Sequence, residues 1–524
     1  MAKRLMLKRV PLKKTTWTDE QEDIWSAMAR HNGHLLVDAK AGTGKSTTMI
    51  EGLKRDKNAV LHQRSRAIVV FGKANAKELQ QKVPAGVVSG TLHSIMFSVL
   101  RREVHIPTVD VRRSKALIQE LWPSYRFPKG GQYCLGKLTE LAKNTGITLR
   151  EINNPSGMLR EILIRYGISS RMPESELIDK ANQLLRKSAD LDSVSSTGID
   201  FDDMLWLSYV HQFKPRRFDD LIIDEAQDLT PVQQYNALSI GEQITVVGDP
   251  WQSIMGFRGG DTNSMETLEE RLGEMRKYPL TICWRCPRAV IQLAQKLVPT
   301  IRANPTAEEG EVLEVPPDNI AEDVQPGDMI ICRTNAPLIP LVFRLWSRGT
   351  RAYIQGRQFG KDLLDIVISE EVYGMTLESL VARLRDRAAR EESRLAKIID
   401  SEGSIAFLHD KYDVLFNLAI GATCGGTAGV AELKERLEFL FTDVEQSDKV
   451  RLSSIHRAKG LEADNVFIIE PHLLPHPMAR QPWEVQQDLH LIYVAVTRAK
   501  KRLIIGGSLP RPLIDQPESD WQDD

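Results

Sequence analysis

Short runs of aliphatic and β-branched residues recur along the chain: HLLVDA from 34, AIVVFG from 67, LIIDEA from 221, ITVVGD from 244, MIICRT from 329, NVFIIE from 465 and RLIIGG from 502. Each is followed by a turn or a helix-like stretch. Continuous apolar runs of this kind read as strands buried on both faces, which is the situation of parallel strands in α/β domains. They fall into two sets, one before residue 250 and one after residue 328. At 524 residues the chain also exceeds what one core supports, and ordinary domain sizes suggest several units.

The first run leads into VDAKAGTGKSTTM, residues 37–49. Strand, glycine loop and helix in that order predict a phosphate cradle, with Ala41, Gly42, Thr43 and Gly44 wrapping the anion, Lys45 aimed at the β- and γ-phosphates, and the Ser46 hydroxyl on Mg²⁺. Ala39 stands where the usual pattern has its first glycine. A cradle of this type needs an acidic partner on a nearby strand. LIIDEAQD supplies it: Asp224 is expected to hold Mg²⁺ and Glu225 to orient or deprotonate the attacking water. In VVGDPWQSIMGFRGG, Gln252 is placed to sense the γ-phosphate, and Asp249 reads as a turn cap.

Two long helix-like stretches lack such strands, at roughly 103–196 and 363–447. The second contains LESLVARLRDRAAREESRLAKIID, which reads as a solvated surface helix with Leu380, Leu384, Ala388 and Leu395 along one face. No run approaches the ~18–20 apolar residues of a membrane span. Lysine plus arginine (69) nearly balances aspartate plus glutamate (70), so a nucleic-acid partner has to be held by local basic surface. Five cysteines and no apolar leader fit a reducing compartment, and the C-x-x-C at Cys283 and Cys286 reads as plain thiols because no second pair completes a zinc site. The chain is expected to be soluble: cytoplasmic if bacterial or phage-borne, nuclear if eukaryotic.

Taken in order, the blocks resemble the UvrD/Rep-like branch of superfamily 1 DNA helicases, from about residue 16 to 507. The compact insertions and the wording FGKANAKEL are similar to phage-type and F-box-type members. The resemblance implies two RecA-like parallel-sheet P-loop domains with helical insertions, that is, an α/β fold. The first domain would comprise 1–102 with 197–278, interrupted by a helical insertion at 103–196. The second would comprise 279–362 with 448–511, interrupted by a smaller insertion at 363–447, and an acidic tail would occupy 512–524.

It also implies roles. Gln21 in TDEQEDIW looks like the adenine-reading glutamine, and in LTICWRCP Trp284 would lie against the adenine with Arg285 on the γ-phosphate. In LSSIHRAKGLEADNVFII, His456 would sit near DNA, with Lys459, Gly460 and Glu462 towards the nucleotide. Arg498 in LIYVAVTRAKKRL would be the arginine finger. Phe71, Thr91, His93, Phe257 and Arg258 match the family's single-strand contacts, and IDFDDMLWL matches the segment before the acidic strand. Thr47 stands where many relatives carry an arginine. The implied activity is that of an enzyme that uses ATP and Mg²⁺ to move on single-stranded DNA and at duplex junctions with 3′ to 5′ polarity, in repair, recombination or replication. The alternative is a single-strand translocase that strips bound proteins with little unwinding. An inactive scaffold fits poorly with intact Lys45, Glu225, Gln252 and Arg498.

Overall fold

The computed structural model describes residues 17–70, 72–128, 131–153, 157–166, 168, 172–256, 263–396, 402–444, 448–479 and 482–510. The aliphatic runs become strands of two fully parallel sheets. The first sheet contains β1 (Leu35–Ala39), β2 (Arg66–Val69), β3 (Val87–Gly90), β4 (Phe218–Ile223), β5 (Gly241–Gly248) and β6 (Arg276–Leu280), in the order β3-β2-β4-β5-β1-β6. Leu35 pairs in register with Thr245 on one side and Arg276 on the other. After a small parallel pair, β7 (Ile282–Cys283) and β8 (Arg302–Ala303), comes the second sheet. Its strands are β9 (Glu311–Val315), β10 (Met329–Cys332), β11 (Ala352–Gln355), β12 (Phe441–Thr442), β13 (Val450–Ser454), β14 (Ala463–Ile468) and β15 (Ala499–Gly506), in the order β12-β11-β13-β10-β14-β15-β9. Parallel strands need crossovers, and the helices that make them cover both faces of each sheet, so Leu35, Val37, Ile330 and Ile331 are all fully buried.

Between β3 and β4 the chain makes a block of helices that shares one core with a face of the first sheet: Leu135, Leu138 and Trp206 pack with Leu221 and Val246. The block is pinned by a buried ionic knot. Asp203, at the start of helix Phe201–Val210, accepts from Arg113 at 2.6 Å and from Lys143 at 2.7 Å, and all three side chains are at most 2% exposed. Removing one partner of such a knot strands the others in a medium that solvates charge poorly. Asp203→Ala is therefore expected to destabilise the protein by about 3–5 kcal/mol, read as a shift of the urea midpoint followed by circular dichroism. An unchanged midpoint would mean that water replaces the carboxylate.

A second helical block lies between β11 and β12. Here the structure corrects the expectation of a solvated helix at its first charged stretch. In helix Leu377–Leu395, Leu380 and Leu384 are fully buried, and with Ala388 and Leu395 they pack in the core shared with Leu415, Leu433 and β11. The apolar stripe is a packing face and only the opposite face meets water. Among the described residues no helix is long and apolar enough to cross a membrane.

Candidate functional site: a nucleotide cleft between two sheets

At the C-terminal end of β1 the chain turns through Gly42 (φ 69°) and Gly44 (φ 79°) into helix Lys45–Arg55. The left-handed φ values are open to glycine at little cost. The turn leaves the first N–H groups of the helix facing outward, where they and the helix dipole attract an anion. Lys45 reaches over this loop to within 3.7 Å of Glu225 Oε1. The Ser46 hydroxyl donates to Asp224 Oδ2 at 2.5 Å. A hydroxyl and a carboxylate so close, beside a phosphate cradle, are the hard-oxygen donors that Mg²⁺ takes when phosphates complete its shell. Thr43 caps the loop from within, its hydroxyl donating to the Lys40 carbonyl at 2.8 Å, while Thr47 faces solvent.

Burial and the adjacent Glu225 charge push the Asp224 carboxyl above its usual range. For Glu225 burial acts upward too, but the Lys45 and Lys459 charges outweigh it and hold the carboxylate ionised. Glu225 is itself held at φ 57°, which a non-glycine residue adopts only under constraint, and Gln227 donates to its Oε2 at 2.5 Å. Gln252 is buried in a short 3₁₀ turn, and its amide donates to Asp249 Oδ2 at 2.7 Å. Asp249 does cap that turn, accepting from the Trp251 N–H. It also orders Gln252.

The bend after β7 and the second sheet close the other side. Trp284 has its backbone N–H on the Gly42 carbonyl at 2.9 Å, while its indole is 41% exposed, leaving a stacking face open beside the cradle. Arg285 pairs with Glu462 at 2.6 Å and donates to the Thr497 carbonyl, and Lys500 holds the other Glu462 oxygen at 2.7 Å. Gly460 is exposed and turns the chain at φ 86°. Arg498 is 1% exposed; among the described residues it donates to the carbonyls of Val494 and Leu461 and to the Thr497 hydroxyl, and to no carboxylate. Burial and the neighbouring Arg285 charge push it down to about 10, so it remains a cation at neutral pH. Gln21 is buried; its carbonyl accepts from the Thr18 N–H and its amide donates to the Thr48 hydroxyl at 2.9 Å, so much of its hydrogen-bonding capacity serves the protein.

On the neighbouring surface, Thr91 caps helix Leu92–Glu103, and Thr91, His93 and Phe201 line a mainly apolar recess of about 270 Å³ that reaches Val69 and Asp224. His456 is half-buried in the short helix after β13. Phe71, Phe257 and Arg258 lie outside the described residues.

Several cross-cleft contacts lie beyond the reach of motif reading. Lys459, expected to point to the nucleotide, pairs with both Asp228 oxygens at 2.6 and 2.8 Å and donates to the Gln252 carbonyl. The buried Tyr493 hydroxyl accepts from the Ala41 N–H at 3.0 Å, and His490 bonds the Ser253 carbonyl at 2.8 Å. The only sequence signal for these is their position inside or beside the motif blocks.

Comparison with known proteins agrees with this architecture. Residues 18–273 match the UvrD/REP helicase N-terminal domain and residues 431–508 match the UvrD-like helicase C-terminal domain. The chain is 23% identical to F-box DNA helicase protein 1 of Schizosaccharomyces pombe over 94% of its own length and 58% of that protein. It is 25% identical to ATP-dependent DNA helicase UvrD2 of Mycobacterium tuberculosis over 60% of its length and 52% of that protein. With ATP-dependent DNA helicase PcrA of Staphylococcus aureus it shares 22% over 94% and 84% respectively. The chain thus spans little more than half the length of the F-box and UvrD2 relatives. With both halves of the family matched in order on two parallel sheets that face one cleft, the chain belongs to the UvrD/REP helicase family.

Proposed function

We propose that the chain is an ATP-driven motor that moves 3′ to 5′ on single-stranded DNA and opens duplex junctions, serving repair, recombination or replication. One observation carries this reading: Arg498, a buried cation held by neutral acceptors, stands on the second sheet beside a phosphate cradle built on the first. A buried charge of this kind is stabilised when an anion arrives, so nucleotide binding favours closure of the cleft. Charge that develops on the γ-phosphate is then met by Lys45 from one side and by Arg498, with Arg285 released from Glu462, from the other. Glu225, held ionised, accepts the proton of the attacking water, and Gln252 positions it. Mg²⁺, held by Ser46 and Asp224, would neutralise phosphate charge. Because the catalytic set is complete only when the sheets approach, hydrolysis alternates with opening, and alternation becomes movement if the strand is gripped on each side.

The grip is assigned to Thr91, His93 and His456, with Phe71, Phe257 and Arg258 as stacking and backbone contacts, an arrangement that holds bases without reading them. On this reading 1–102 with 197–278 and 279–362 with 448–511 are the two motor domains, and 103–196 and 363–447 are the insertions that meet duplex. The polarity rests on the continuation Gln252 to Gly259 and on the long first insertion, both as in the UvrD/Rep branch.

Strand displacement on 3′-tailed, 5′-tailed and forked duplexes tests the proposal. ATP-dependent opening of 3′-tailed and forked duplexes is expected, and opening of 5′-tailed duplexes alone would refute the polarity. Displacement of a protein roadblock without duplex opening would favour the translocase alternative. The Trp284 indole makes a separate prediction. As a stack used equally in ground and transition states, its loss in Trp284→Ala is expected to raise the KM for ATP by roughly 3- to 10-fold with little change in kcat. A fall in kcat at unchanged KM would move Trp284 out of the base site.

A further inference from the structure

The C-x-x-C at 283–286 takes no part in the chemistry above, yet it lies buried directly beneath the phosphate loop, Cys283 0% and Cys286 3% exposed. Cys283 ends β7, and Cys286 precedes Pro287, the N-cap of helix Arg288–Ala294. The Cys286 N–H donates to Cys283 Sγ at 3.4 Å, so the two residues face each other across a two-residue bend. That bend carries Trp284 and Arg285. The Cys286 thiol donates to the Thr497 carbonyl at 3.5 Å, the same carbonyl that accepts from Arg285, and Thr497 adjoins Arg498. Cys283 Sγ presses on the phosphate loop so closely that a Cβ built on Gly42 would lie 2.7 Å from it and 2.8 Å from Arg285 Cβ.

We propose that Cys283 and Cys286 form a reversible disulfide on reaction with a hydroperoxide, and that this bond switches the nucleotide cleft off; the switching half rests on the function proposed above. Hydrogen bonds from Cys286, acting against burial, hold the Cys283 thiol below its ordinary range, while Cys286 is held above its own. The Cys286 N–H on Cys283 Sγ stabilises a thiolate there, so Cys283 is assigned as the attacking sulfur and Cys286 as the resolving one. The Cys283 thiolate attacks one peroxide oxygen; the O–O bond breaks, its electron pair goes to the other oxygen, which leaves as an alcohol or water after protonation, and Cys283 becomes a sulfenic acid. The Cys286 thiol then attacks the Cys283 sulfur, the S–O bond breaks and water leaves. Both sulfurs must then close to about 2.05 Å with a fixed dihedral angle. Drawing the two sulfurs together reshapes the two-residue bend between them, which packs on the phosphate loop at Gly42. That change displaces Arg285 from the γ-phosphate and Trp284 from the base.

The test uses the full chain carrying Cys424→Ser, which removes the one exposed cysteine among the described residues. The protein is treated with hydrogen peroxide, remaining thiols are alkylated, and peptide masses are compared with ATP turnover on single-stranded DNA. The expected result is a peptide spanning 283–286 that is lighter by two hydrogens and unalkylated, with turnover lowered at least about 10-fold and restored by dithiothreitol. Cys286→Ser should turn over ATP normally when reduced and form no such disulfide. Its Cys283 sulfenic acid should return with dithiothreitol, and no two-hydrogen loss should be seen. Absence of the disulfide, or a disulfide with unchanged turnover, overturns the proposal. A reduced protein without ATP turnover would instead contradict the proposed function, with the disulfide still read by mass.

Discussion

Arg498→Ala is expected to lower ATP turnover by about 10³-fold or more while nucleotide affinity falls far less. The reason lies in how this guanidinium is held. It is buried, its Nε is fixed on the Val494 carbonyl at 2.8 Å, and among the described residues its other hydrogen bonds go to a carbonyl and a hydroxyl. Neutral acceptors orient the group without cancelling its charge. That charge is worth most where it appears on the transferring phosphoryl group, inside a cleft that excludes water. Lysine would not rescue it, since a point charge lacks the planar fork. Measured by steady-state turnover beside binding of a fluorescent ATP analogue, equal losses in both would assign Arg498 to ground-state binding.

Lys45→Ala is expected to abolish measurable turnover and to leave single-strand binding within a few-fold. Lys45 begins the helix after the β1 turn, and its ammonium lies 3.7 Å from Glu225 Oε1, at the C-terminal ends of β1 and β4. Its loss removes the cation proposed to meet the β- and γ-phosphates and leaves Glu225 with less to hold it ionised. The strand contacts assigned to Thr91, His93 and His456 stay intact. Normal hydrolysis by this variant would displace the site from the loop, and a collapse of DNA binding would show that the lysine serves the fold.

The parts of the fold visible in the residues are those whose burial is two-sided. β1, β2, β4, β5, β10, β14 and β15 announce themselves as continuous aliphatic runs because helices cover both faces. The strands without such a run are mostly edges. β3 (VVSG) and β9 (EVLEV) have one flank open and carry exposed or polar residues, and β6 (RKYPL) contains Pro279, which an edge tolerates. β13 is interior but reads VRLSS, because its end supplies the turn into the His456 helix. Helix Leu377–Leu395 reads as solvated because its charges outnumber its apolar stripe, and only the neighbouring helices show that the stripe is covered.

The site divides in the same way. The turn from β1 into helix Lys45–Arg55 is local geometry, so Gly42, Gly44, Lys45 and Ser46 are legible in one segment. Contacts made across the cleft are not. Lys459 with Asp228, Tyr493 with the Ala41 N–H, and Cys283 against Gly42 join residues more than two hundred positions apart, and none leaves a pattern in either segment alone.

Movement is the central claim, and the kinetics of translocation on single strands test it most directly. Protein is bound to oligodeoxythymidylates of graded length carrying a fluorophore at the 5′ or the 3′ end, and ATP is added with a trap for free protein. With the label at the 5′ end, the signal is predicted to appear after a lag that grows with strand length, vanishing in Lys45→Ala; with the label at the 3′ end, no length-dependent lag is predicted. A lag that grows with length only at the 3′ end, or none at either end while ATP is being hydrolysed, would contradict directional movement from 3′ to 5′.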